Sequence, residues 1–260
     1  MSINFRAGTL LGSVALLLAL AGCVTQSETV FTDPPAPEKA LKQRVELARQ
    51  YIGEGDWDNA KRNLKQASKI DPNNAEVYEA FALVYQSTGE TDLAEENFEK
   101  AIRIDRKFSR ARNNYAAFLY GQQRYQEAED QLEVVVKDSL YNARPKAFVN
   151  LGLCRLQLDD SAGAGEAFER ALTMDGANRV ARLELAELRF RDGDIDAAET
   201  HYGIYRAAVR QQSARGLWLG VRLAQARGDL NAEGSYSMAL RNLYPQSPEF
   251  KAYQRTQGGG

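Results

Sequence analysis

The chain has 260 residues, 44% of them apolar and 26% charged, with 33 Lys and Arg against 35 Asp and Glu for a net charge of −2. That composition is globular and long enough for one large or two ordinary domains, and its near-neutrality excludes a nucleic-acid binder working through a broad basic face. One histidine, His201, and two cysteines, Cys23 and Cys154, exclude a zinc site of the usual Cys/His count and a disulfide-dense scaffold.

Residues 1–22 read as a lipoprotein signal peptide. Arg6 precedes a 12-residue apolar run from Leu10 to Ala21, the length of a signal h-region and short of the about 20 residues a spanning helix needs. The run ends in Leu20-Ala21-Gly22-Cys23, which resembles the bacterial lipobox; the alternatives are an ordinary cleaved signal with a chance cysteine, or an uncleaved anchor. The resemblance implies cleavage before Cys23, diacylglycerol on its thiol and a further acyl chain, such as palmitate, on the freed amine. Two or three acyl chains anchor stably where one is marginal. Val24, in place of Asp, favours the outer membrane under enteric-type sorting. Residues 23–40 then read as the acylated cysteine and a tether, with three of the seven prolines at Pro34, Pro35 and Pro37 favouring an extended spacer.

A 34-residue period governs the chain beyond this tether. Ala60, Ala94, Ala128, Ala164, Ala198 and Ala232 recur at gaps of 34, 34, 36, 34 and 34. Taking each as position 20 of a unit gives 41–74, 75–108, 109–144, 145–178, 179–212 and 213–246, a six-repeat domain over 41–246. Position 7 reads Leu47, Phe81, Tyr115, Leu151, Leu185 and Leu219; position 24 reads Leu64, Phe98, Leu132, Phe168, Tyr202 and Tyr236. Positions 8, 20 and 27 are Gly or Ala in 16 of 18 instances, Val135 and Tyr205 being the others. Bulky residues fill the space between two antiparallel helices, and small ones let their backbones approach. This is the tetratricopeptide (TPR) pattern, and it predicts an all-α, right-handed superhelical solenoid of six helix pairs.

Gly55, Gly89, Gly193 and Gly228 mark turns between the helices of a pair. The two-residue insertion after unit 3 predicts a bend or loosening of the stack. Gly163 and Gly165 weaken the start of the second helix of unit 4, and Tyr205 at a small position requires the fifth pair to splay or repack. Residues 247–254 are expected to add a short cap, with Gly258–Gly260 a floppy end. Cys154, without a partner once Cys23 is acylated, is expected to be buried and inert.

No motif for nucleophilic, phosphate-binding, metal or dinucleotide chemistry is present, and His201 lacks a Ser or Asp at catalytic spacing, so no enzyme and no metal site are expected. Function then falls to the concave face lined by the first helix of each pair. The candidate partner-binding residues are Val45, Arg49, Ile52, Leu83, Gln86, Asn113, Tyr120, Val149, Leu153 and Leu156. Apolar side chains with scattered polar ones suit an extended or helical peptide; some of these positions alternatively pack on the next repeat.

Four segments are more specific: Ala111–Ala128 with its Asn113-Asn114-Tyr115 start, Phe148–Leu153, Leu217–Ala224 and Leu240–Pro245. Together with the lipobox and repeats they resemble the type IV pilus biogenesis lipoproteins of the PilF/PilW family, the TPR secretin pilotins. The resemblance implies a periplasm-facing, lipid-anchored outer-membrane protein that binds the secretin subunit and promotes its localisation and multimerisation, supporting pilus assembly and twitching motility. It implies no nucleic acid, no small-molecule substrate and no cofactor beyond the lipid on Cys23. The rival readings are a TPR lipoprotein scaffold or chaperone of outer-membrane protein assembly, or a regulator of an envelope enzyme.

Overall fold

A computed structural model describes residues 36–257. The signal segment, the lipobox with Cys23, most of the tether and Gly258–Gly260 lie outside the described residues. Among those described there are 13 helices and no strand, and no helix is long and apolar enough to cross a membrane.

Twelve helices form six antiparallel pairs: α1 (Pro37–Glu54) with α2 (Trp57–Ile70), α3 (Ala75–Thr88) with α4 (Thr91–Ile104), α5 (Ser109–Gly121) with α6 (Tyr125–Val135), α7 (Arg144–Gln157) with α8 (Ser161–Met174), α9 (Arg179–Arg191) with α10 (Ile195–Ala208), and α11 (Ala214–Arg227) with α12 (Leu230–Leu243). The thirteenth, α13 (Pro248–Gln257), packs on α11 and α12. The solenoid expected from the period is therefore present.

Local chemistry sets where helices begin. Asp56, Asn74, Asp160, Asn178, Asp194, Ser213 and Asp229 each accept a hydrogen bond from a first-turn backbone N–H, satisfying donors the helix itself leaves free. Gly163 serves this capping instead of weakening it: its N–H donates to Asp160 at 2.9 Å, and a Cβ there would meet the Asp160 carboxylate. Gly55, Gly89, Gly193 and Gly228 all adopt positive φ. In the third and fourth pairs the same turn is made by Gln123 (φ 62°) and Asp159 (φ 61°).

Within the pairs, Ala60, Ala94, Ala128, Ala164 and Ala198 are fully buried, as are Leu64, Phe98, Leu132 and Phe168. Leu47 is an exception at 37% exposure, because no described helix precedes α1 to cover it. The sixth pair departs by one residue. The loop into α11 has five residues, Val209–Ser213, where that into α9 has four, Asp175–Asn178. Ala198 is the fourth residue of α10 but Ala232 is the third of α12, so Leu240, not Ala239, is fully buried and Ala232 is half-buried.

The insertion after the third pair does not loosen the stack. Contact between α6 and α7 is the most extensive of the steps from one pair to the next. Ser109 donates to Asp138 at 2.5 Å, Arg144 Nε to the Val136 carbonyl at 2.7 Å, and Arg155 Nε to Glu129 at 2.8 Å. Contact is thinnest at two steps, from α4 to α5 and, at the junction of the fifth and sixth pairs, from α10 to α11. There Tyr205 is buried against Gly216, where a Cβ would sit 2.7 Å from its hydroxyl, and that hydroxyl lies 3.3 Å from Ser213 Oγ. The fifth pair stays closely packed and repacks at its junction with the sixth.

Candidate functional site

First helices pack side by side at the α3–α5, α5–α7 and α9–α11 steps, so their side chains from successive pairs share one face. Of the residues expected there, Val45, Asn113 and Val149 are buried between helices, Arg49, Ile52, Leu83, Tyr120, Leu153 and Leu156 are half-buried, and Gln86 is exposed. Leu83, Tyr120, Leu153 and Leu156 border one and the same core cluster, which extends from α3 to α9; Ile52 borders a separate cluster of the first three pairs.

Tyr120 stacks edge-on to Tyr125, with ring centroids 5.2 Å apart. Burial pushes its hydroxyl above the usual range against an opposing hydrogen bond with Gln157. The ring thus offers an apolar surface with one polar tip, the kind of side chain that anchors peptides.

The same face carries a polar ladder that composition did not reveal. Glu79 is fully buried; it accepts from Arg49 Nη2 at 2.5 Å and from Asn114 Nδ2 at 2.7 Å, with Arg110 Nε at 3.7 Å. Arg110 also donates to Glu76 at 2.8 Å. Asn150 donates to Asn113 at 3.2 Å. Further along, Arg215 grips Glu184 with both Nη atoms, at 2.5 and 2.7 Å, and Arg222 donates to Glu187 at 2.6 Å. The Glu184 bond is the largest influence holding the Arg215 guanidinium charged. The partners lie 30 to 37 residues apart, one repeat in sequence and one step along the solenoid. That spacing of opposite charges on first helices is the signal that would have found them.

A second patch, missed among the candidates, occupies the far end. The Arg222 guanidinium lies 4.9 Å from the Phe190 ring and 5.4 Å from Trp218, and Trp218 meets Tyr253 of α13 at 6.3 Å. The charge spacing marks Arg222, but no sequence pattern marks Trp218, which falls at a position without a repeat-wide preference.

Chemistry for bond-making is sparse. Among the described residues no group of three His, Cys, Asp or Glu is placed to hold a metal. Cys154 is buried, and that burial pushes its thiol up to about 12, far from a reactive thiolate. Burial first, then Arg182 and Arg189, hold the His201 imidazole below its usual value, and Arg182 contacts its Nδ1 at 3.1 Å.

Comparison with known proteins agrees with this arrangement. A TPR repeat profile matches residues 48–89, and tetratricopeptide repeat profiles match 75–108 and 119–179. The type IV pilus assembly protein PilF of Pseudomonas aeruginosa is 36% identical over 241 residues, spanning 92% of this chain and 95% of its own. The chain belongs to the PilF/PilW family. The solved structure of Pseudomonas aeruginosa PilF superposes with a TM-score of 0.81 at 35% identity, covering 85% of this chain and 99% of that one. That of PilW, a widely conserved type IV pilus biogenesis factor, gives 0.71 at 26% identity over 83% and 99%. This PilF/PilW family member is thus a TPR protein of type IV pilus biogenesis, and TPR proteins bind peptide partners.

Proposed function

We propose that the chain is a pilotin: an outer-membrane lipoprotein, anchored through acyl chains on Cys23 and facing the periplasm, that holds the type IV pilus secretin subunit in the face lined by its first helices. Holding a subunit near the membrane keeps its assembly surfaces concentrated there and promotes multimerisation. The observation that carries the reading is the row of half-buried Leu83, Tyr120, Leu153 and Leu156 on the open face of a PilF/PilW family member. These offer apolar anchors, and the contacts of Glu79 with Asn114 and of Asn113 with Asn150 keep the helices that present them in register. Binding without catalysis suffices, so the protein acts as no enzyme and takes no nucleic acid, small-molecule substrate or cofactor beyond its lipid.

Deleting the gene is expected to abolish twitching and leave secretin monomers; normal secretin multimers in the deletion strain would overturn the assignment. Replacing Cys23 by Ala is expected to release the protein from the membrane fraction, and unchanged membrane association would mean that no acyl chain on Cys23 anchors it.

A further inference from the structure

The outward faces of the second helices carry a charge pattern that partner binding leaves unused. In α2 the buried residues are Ala60, Asn63, Leu64 and Ala67. At about 3.6 residues per turn the stripe opposite them runs Asp58, Arg62, Lys65 and Lys69, all exposed, with three cations against one acid at its start. None of the three cations forms an ion pair among the described residues, whereas the neighbouring Lys61 is engaged with Glu90 at 2.8 Å. The acids at the start of α2, Asp56 and Asp58, sit by the turn, where Asn59 chiefly and Arg62 least hold the Asp56 carboxyl below its usual range.

The positions matching Arg62 and Lys65 have the opposite sign in the next three pairs. They are Glu96 and Glu99 in α4, Asp130 and Glu133 in α6, and Glu166 and Glu169 in α8, every one exposed. Glu133 and Glu169 are each shared with an arginine, Arg155 and Arg189. In α10 the same positions are Thr200 and Gly203. At these two positions the outer stripe is therefore basic in the first pair, acidic in the next three and neutral in the fifth, while the position of Lys69 stays basic in the second and third (Arg103, Lys137) and is uncharged in the fourth and fifth (Thr173, Ala207).

We propose that the outer face of α2 docks on an anionic lipid surface through Arg62, Lys65 and Lys69, with the acidic stripe of α4, α6 and α8 turned away from it. The proposal rests on the lipoprotein reading of Cys23. The residues between Cys23 and Pro37 span at most about 50 Å when extended, several times the about 8 Å Debye length at physiological ionic strength. Such a tether delivers the solenoid to the bilayer without orienting it. Three cations at the membrane end supply the orientation, each tightening attachment to anionic headgroups about fivefold. Repulsion of the acidic stripe makes the first pair the point of contact and stands the later pairs off the surface.

The test uses residues 23–260 with Cys23→Ser, which keeps the compact unit Leu41–Gly260 and removes both leader and acyl chains. Its sedimentation with phosphatidylcholine vesicles containing phosphatidylglycerol is compared with that on phosphatidylcholine alone. The expected result is binding to the anionic vesicles only, lost at high salt and weakened at least about 100-fold by Arg62→Glu/Lys65→Glu/Lys69→Glu. The control triple Arg179→Glu/Arg191→Glu/Arg210→Glu makes the same net-charge change at exposed positions elsewhere and is expected to bind nearly as the parent does. Absence of anionic-vesicle binding at low salt, equal weakening by both triples, or salt-sensitive self-association in place of vesicle binding would overturn the proposal. Acylation is read separately, from the mass of the mature chain purified from membranes, so failure of the anchor and failure of the docking face are distinguishable.

Discussion

Arg49 and Glu79, 30 residues apart in adjacent repeats, meet at 2.5 Å with the carboxylate side chain fully shielded from water and the guanidinium still 27% exposed. The asymmetry sets what each substitution costs. Arg49→Ala strands part of a buried carboxylate and is expected to destabilise by about 2–3 kcal/mol. Glu79→Gln leaves two arginines that still reach water and costs about 1–2 kcal/mol. Urea unfolding checks both values, and the double variant is expected to cost less than the sum.

Gly152 lies where a Cβ would approach Phe168 Cε1 to 2.5 Å, and Phe168 is fully buried. Gly152→Ala is expected to cost about 1–3 kcal/mol through overpacking, despite Ala being the better helix former. Adding Phe168→Leu opens space beside the new methyl, so the double variant is expected to lose less than the two single losses combined. Thermal melts of the four proteins read this directly.

Gln123 and Asp159 hold the positive φ that glycine takes in the other turns. Gln123→Gly and Asp159→Gly are each expected to stabilise by about 0.5–1 kcal/mol, since a left-handed backbone costs more with a Cβ than without. Unfolding midpoints that fall in both variants would contradict this.

His201 links stability to pH. Its folded-state pKa is lowered, by burial first, so the unfolded chain binds the proton more tightly. Its contribution is present above the unfolded value of about 6.5 and is lost as pH falls from there through the folded value. Between pH 7.5 and 5.5 the parent protein is therefore expected to lose more stability than His201→Gln, measured by urea unfolding at each pH.

The repeat was legible because helix crossings impose residue size: Ala60, Ala94, Ala128, Ala164 and Ala198 are small where two backbones meet, and all are fully buried. The slip at Ala232 was not legible, because an extra residue in the loop before α11 and an alanine one place early in α12 cancel in the spacing. The open face was legible only in part. Leu83, Tyr120, Leu153 and Leu156 follow from helical position, but the burial of Glu79 and Glu184 follows only once Arg49 and Arg215, one repeat away, are placed beside them. The Trp218 contact with Tyr253 depends on α13, which lies beyond the repeats and follows no period. The Lys and Arg stripe of α2 emerges only when its register is compared with α4, α6 and α8.

If the open face of the first helices grips the secretin subunit, the affinity of the mature chain for that purified subunit depends on the side chains of that face. Leu83→Asp and Leu153→Asp alter half-buried side chains at the border of the core, so circular dichroism first verifies that each variant keeps its helices and melts cooperatively. Each folded variant is expected to bind at least about tenfold more weakly than the parent, a loss typical of a single buried apolar anchor. Folded variants that bind the secretin subunit with parental affinity would show that the subunit is held elsewhere.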